Sequence, residues 1–245
     1  MPFIRPFLLL FAITGLVWCE IRSRRQLYSN LHSPIFDKDH YTVQIAEEVS
    51  LGTNVTRIVA HDQDEGSAGS IVYSLQADND QRSLNIFEII PDTGQIRTKS
   101  RVDREQFAIH RLTVRAEDRG SPSNSATASL VIYVLDMNDH APQFENAQYL
   151  VNVSEVTGVG TVIARLRAND EDDGDNKAIK YSFVTAVEDF RMDPNTGDIS
   201  VAQPLNREAT ATYDFIVQAQ DQSVNVANRL SSQVIISLPR VRGVL

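Results

Sequence analysis

Asp136-Met137-Asn138-Asp139-His140-Ala141-Pro142-Gln143-Phe144 is the stretch on which the organisation of the chain turns. It sets three oxygen-bearing side chains in four positions and then a proline that stiffens the backbone. That makes a poor hydrophobic strand and a good ion-binding connector. On either side of it the same landmarks recur in the same order. Tyr41–Glu47, Gly52-Thr53 and Asp62-Gln63-Asp64 return as Tyr149–Glu155, Gly160-Thr161 and Asp170-Glu171-Asp172, each displaced by 108 positions. From Phe87 onward the displacement is 103. Pro91-Asp92-Thr93-Gly94 matches Pro194-Asn195-Thr196-Gly197, Asp103-Arg104-Glu105 matches Asn206-Arg207-Glu208, and Asp118 matches Asp221. One shortening therefore lies in a connecting loop between Tyr181 and Phe190. Two units of about 105 residues are an ordinary domain size.

Within each unit the pattern is that of half-buried strands. Leu112, Val114 and Ala116 alternate with Arg111, Thr113, Arg115 and Glu117, and Tyr213, Phe215, Val217 and Ala219 alternate with polar Asp214, Gln218 and Gln220. Turn clusters such as Pro91–Gly94, Arg119–Pro122 and Asp193–Gly197 punctuate the runs. Gly, Pro, Val, Ile and Thr crowd the candidate segments and exclude helices. The expected fold is all-β, with two tandem β-sandwiches.

Hydrophobic residues make up 42% of the 245-residue chain, enough for ordinary cores, and a formal charge of −9 disfavours nucleic acid as a partner. The apolar run Phe7–Trp18 is too short to span a bilayer and predicts a signal peptide over residues 1–19. The single cysteine, Cys19, leaves with it, so the mature domains need a stabiliser other than disulfides. A further basic run, Arg22–Arg25, offers a convertase-like cleavage site ahead of Gln26. The run Val234–Leu238 is strand-sized and closed by Pro239.

The acidic motifs suit calcium, which takes roughly six to eight hard oxygen ligands. In an extended Asp-x-Asp the two carboxylates point to the same side, about 6–7 Å apart. With the connector quoted above, they resemble the motifs of the cadherin family. The resemblance covers residues 34–239 and implies two Greek-key, immunoglobulin-like repeats of the non-classical cadherin type. Their expected spans are a flank at 20–36, repeat 1 at 37–140 with its linker at 136–140, repeat 2 at 141–239 and a tail at 240–245. It further implies about three calcium ions at the junction. Glu47, Asp103 and Glu105 would come from the base of the first unit, Asp136, Asn138 and Asp139 from the linker, and Asp170, Asp172 and Asp221 from the top of the second. Carbonyls near Met137, His140 and Asn176 would complete the shells. About three divalent ions would offset most of the charge on these eight carboxylates, which without metal repel at about 1 kcal/mol per pair at 4 Å in water. A flexible hinge without calcium and a stiff rod with it follow.

The pattern departs from the family at both extremes. Asp62, Asp64 and Asp118 copy the second unit's upper acids, but His32-Ser33-Pro34-Ile35-Phe36 lacks the acidic part of a linker, so an incomplete site is expected there. Asn206 stands where the Asp-Arg-Glu motif has its Asp, and no second linker follows. The only tryptophan, Trp18, lies in the signal, so adhesion by exchange of a tryptophan-bearing strand is not expected. Sequons at Asn54 and Asn152 fit a secreted or cell-surface chain.

Enzyme classes find no support. None of the five histidines sits in a metal-protease motif, and no nucleophile elbow is present. Twelve positions counted from Asn169 end at Lys180, where a helix-loop-helix calcium site needs Glu. The expectation is a calcium-dependent adhesion or recognition module whose partners are cadherin ectodomains, homophilic or heterophilic. The alternative is a secreted ligand or decoy for membrane cadherins. Neither reading involves a small-molecule substrate.

Overall fold

The computed structural model describes residues 30–241 apart from Asn79 and Arg207. The expected signal peptide, Trp18, Cys19 and the basic run at 22–25 lie outside the described residues. Two compact units divide between Leu135 and Asp136.

The first unit contains β1 (Ile35–Phe36), β2 (His40–Ala46), β3 (Asn54–Arg57), β4 (Ala60–His61), β5 (Ile71–Ala77), a helical turn α1 (Ser83–Ile86), β6 (Phe87–Ile89), β7 (Gln95–Thr98), β8 (Ile109–Asp118) and β9 (Ser125–Leu135). One sheet runs β2-β9-β8-β5, the other β3-β7-β6, and β1 pairs with β4. Strand β8 shows why the sandwich closes. Its even-numbered residues His110, Leu112, Val114, Ala116 and Asp118 are buried, while their neighbours reach solvent. Leu130 and Ile132 on β9 and Ile96 and Phe87 from the facing sheet complete a core with exposures of 0–1%. Each such side chain stabilises the fold by roughly 1.5–3 kcal/mol through removal from water.

The second unit repeats this with β10 (Gln143–Phe144), β11 (Gln148–Leu150), β12 (Val153–Ser154), β13 (Val162–Arg165), β14 (Ala168–Asn169), a helical turn α2 (Gly174–Lys177), β15 (Ile179–Phe183), β16 (Phe190–Met192), β17 (Asp198–Val201), β18 (Thr212–Asp221), a 3₁₀ turn (Val226–Asn228) and β19 (Ser231–Val241). Its sheets are β11-β19-β18-β15, with β12 also on β19, and β13-β17-β16; β10 pairs with β14. Leu166, Ile199, Val217, Ile236 and Leu238 are fully buried in its core. The sequence repeat is therefore a structural one, and the shortening falls where the first unit carries α1.

Two local devices recur. Gly94 and Gly197 have φ of +68° and +70°, and a Cβ built on them would lie 2.1 Å from the Ile58 carbonyl oxygen and 2.7 Å from that of Leu166. Only glycine fits these turns. Tyr73 and Tyr181 each accept from a strand amide through the phenol oxygen, from Ala60 at 2.8 Å and from Ala168 at 2.9 Å. The core tyrosine thus ties the sheet to the segment that carries the Asp-x-Asp motif.

Candidate metal centre

At the base of the first unit, Glu47 follows β2 immediately and is 0% exposed. The chain turns there through Glu48, a non-glycine residue with φ of +56°, a conformation that costs energy and gathers at functional sites. Glu47 Oε2 accepts the Arg104 amide at 2.9 Å. Asp103 Oδ1 accepts the Gln106 amide at 2.9 Å, which opens the turn that brings Glu105 round. Arg104 contacts Glu105 directly. Carboxylate oxygens of Glu47, Asp103 and Glu105 all lie within 4.8 Å of one another. Burial, reinforced by the Glu47 carboxylate, pushes Glu105 up to about 7.

At the top of the second unit the connector folds back on its own domain. Asp136 Oδ1 accepts the Asp173 amide at 3.0 Å, and Oδ2 accepts the Asn176 side-chain amide at 2.7 Å. Asn138 Nδ2 donates to Asp221 Oδ2 at 3.1 Å and to the Asn228 carbonyl at 2.6 Å. The Met137 carbonyl accepts the Asp139 amide at 2.9 Å. His140 Nδ1 stands 2.8 Å from Asp139 Oδ1 and 3.3 Å from Asp172 Oδ1. Asp170, Asp172 and Asp221 are 1%, 1% and 0% exposed. Burial, with Asp170 and Asp136 adding to it, pushes Asp172 up to about 6; burial, then Asp221, raises Asp170. Asp170 Oδ2 and Asn138 Oδ1 are buried without a hydrogen-bond partner.

All the oxygen-bearing residues predicted from sequence thus fall into two groups, each gathered within its own unit. The donor set fits calcium: hard oxygens, several of them carboxylates, with buried oxygen atoms still open for ligation. Buried carboxylates side by side cost several kcal/mol unless a positive charge joins them. Among the described residues, the second unit's lower counterparts differ. Glu155 is half-buried, Asn206 and Glu208 are exposed, and Asn206 Oδ1 accepts the Glu208 amide at 3.0 Å. Sequence reasoning missed Asp173, whose amide holds Asp136, and Asn228, whose carbonyl holds Asn138. Both act through backbone groups, which leave no mark in the identity of the side chain.

A tandem pair of β-sandwich domains with an acidic connector defines the class. The family model for the cadherin domain matches residues 41–135 and 149–238. Among curated proteins, "Cadherin EGF LAG seven-pass G-type receptor 3" of Rattus norvegicus is 42% identical over 210 residues, covering 83% of this chain. "Protein dachsous" of Drosophila melanogaster is 34% identical over 206 residues, covering 80%. The chain spans only 6% of the length of each of these two relatives. Among solved structures, mouse cadherin-23 EC22-24 matches with a TM-score of 0.79 at 32% identity, over 86% of this chain and 67% of that one. The chain belongs to the cadherin family. Among the described residues, no helix is long and apolar enough to cross a membrane.

Proposed function

We propose that this chain is a calcium-dependent adhesion or recognition module at the cell surface or outside the cell. The observation that carries this reading is the upper pole of the second unit, where Asp170, Asp172 and Asp221 are buried against the connector. Glu47, Asp103 and Glu105 of the first unit, with Asp136, Asn138, Asp139, Asp170, Asp172 and Asp221 of the second, would hold about three calcium ions. Carbonyls near Met137, His140 and Asn176 would add neutral oxygens. Calcium supplies the positive charge that lets these carboxylates stay ionised side by side. At about 10⁻⁴–10⁻³ M affinity such sites fill outside cells and empty inside them. The exposed sequons at Asn54 and Asn152 suit glycosylation on that route.

The partners proposed are cadherin ectodomains, with homophilic pairing as the leading form. Beads coated with the chain test this. Clumping at about 1 mM calcium that disappears in chelator is expected. Beads that stay dispersed in calcium contradict homophilic pairing.

A further inference from the structure

The first unit's upper pole repeats the second's without the linker acids, and a short segment before β1 stands in their place. The pairing of β1 with β4 fixes Ile35 opposite His61 and so lays residues 30–33 beside Asp62 and Asp64. Leu31 and His32 donate their backbone amides to Asp64 Oδ2 at 2.8 and 2.9 Å. His32 Nδ1 lies 2.8 Å from Asp64 Oδ1. Asn30 Nδ2 donates to Asp118 Oδ1 at 3.0 Å, and Asn124 Nδ2 donates to the His32 carbonyl at 2.8 Å. The amides of Gly120 and Asn124 add donors to Asp118 at 2.9 and 3.0 Å.

The seat is shaped for Asn30. A Cβ built on Gly120 would lie 2.1 Å from Asn30 Nδ2, so only glycine at 120 leaves room for that side chain. Asn30 and His32 stand 108 positions before Asn138 and His140, and Leu31 stands where the connector has Asp139. The Asn30–Asp118 and His32–Asp64 contacts repeat those of Asn138 with Asp221 and His140 with Asp172; what differs is that Leu31 replaces Asp139, so the segment brings N–H donors and no carboxylate of its own.

We propose that Asn30–His32 is a metal-free clasp, holding Asp64 and Asp118 by hydrogen bonds so that the first unit's upper pole is ordered without calcium. The contrast with the second unit rests on the calcium reading above; the clasp itself does not. Its consequence is selectivity: calcium would control the Asp172 pole and leave the Asp64 pole unchanged. The lowered pKa of Asp64, caused first by the His32 amide, agrees with a carboxylate already held by donors.

Hydrogen exchange on the whole chain tests the clasp at the Leu31 and His32 amides. In chelator both should exchange at least roughly tenfold more slowly than unstructured amides, with less than about a twofold change on adding calcium. Gly120→Ala and Asn30→Ala should each remove that protection while the Val114 amide stays protected, which reports an intact sandwich. Exchange at unstructured rates in chelator would overturn the proposal. So would protection that appears only with calcium, because a cation on Asn30 Oδ1 and Asp62 Oδ2, both buried without a hydrogen-bond partner, would then be the organiser. Protection that survives both substitutions would also contradict it. A second-unit pole that binds no calcium would leave these results unaffected.

Discussion

Asp64 and Asp172 occupy the same place in two copies of one domain, yet their surroundings push them in opposite directions. Asp64 receives two backbone amides and an imidazole and is held below the ordinary carboxylate range, with the His32 amide as the first cause. Asp172 is buried beside Asp170 and Asp136 and is pushed up to about 6. Both acids receive an amide and an imidazole from the segment alongside, but Asp172 lies among Asp170 and Asp136, whereas no linker carboxylate approaches Asp64. The same strand pairing and the same tyrosine tether position both, so the difference lies in which groups approach, not in the scaffold.

The largest expected effect separates the two poles outright. Asp172→Ala should weaken calcium binding by at least roughly tenfold, the scale set when groups supporting a metal site are lost, and Asp139→Ala should act in the same direction. Asp64→Ala should leave calcium binding unchanged within error. Calorimetry on the variants checks this, and equal losses at both positions would erase the comparison.

A second prediction concerns a pH effect that belongs to neither pole. His110 is fully buried on β8, with edge contacts to Phe87 and Phe107 at 4.9 and 4.7 Å between ring centres. Burial pushes its pKa down to about 4. Its folded value lies below its unfolded one, so the unfolded chain binds the proton more readily. The stability this group contributes is full above pH 6.5 and is lost as pH falls from 6.5 towards 4. Up to about 3 kcal/mol is at stake. Melting in chelator should differ between wild type and His110→Leu by this slope, because the raised Asp172 and Glu105 carboxylates, which contribute in the opposite sense, are common to both.

Asp64→Ala should also lower the melting temperature of the metal-free first unit by roughly a few degrees, because the Leu31 and His32 amides lose their acceptor. Thermal melting in chelator measures it. The smallest effect is at the sequons. Asn54→Gln and Asn152→Gln should each remove one glycan's mass from chain secreted by animal cells, with stability changing by less than about 0.5 kcal/mol.

Much of this was legible in the residues. The period-two alternation of Leu112, Val114 and Ala116 marks β8, and the recurring Asp-x-Asp motif with the first unit's Asp-Arg-Glu marks the poles. His110 shares the parity of those core residues, so its burial was readable as well. The clasp was not. Leu31 and His32 act through backbone amides, which every residue but proline carries, and Asn30 is a common polar residue in a flank. Only extending the 108-position match two residues upstream of His32 would have found it. The turn at Glu48 was equally hidden, because nothing about a glutamate announces a positive φ.

Titrating calcium into the chain by calorimetry tests the central claim most directly. The account predicts about three ions per chain at about 10⁻⁴–10⁻³ M affinity, accompanied by a rise in melting temperature. No binding heat and no change in melting up to several millimolar, roughly the weak end for extracellular modules, would contradict it.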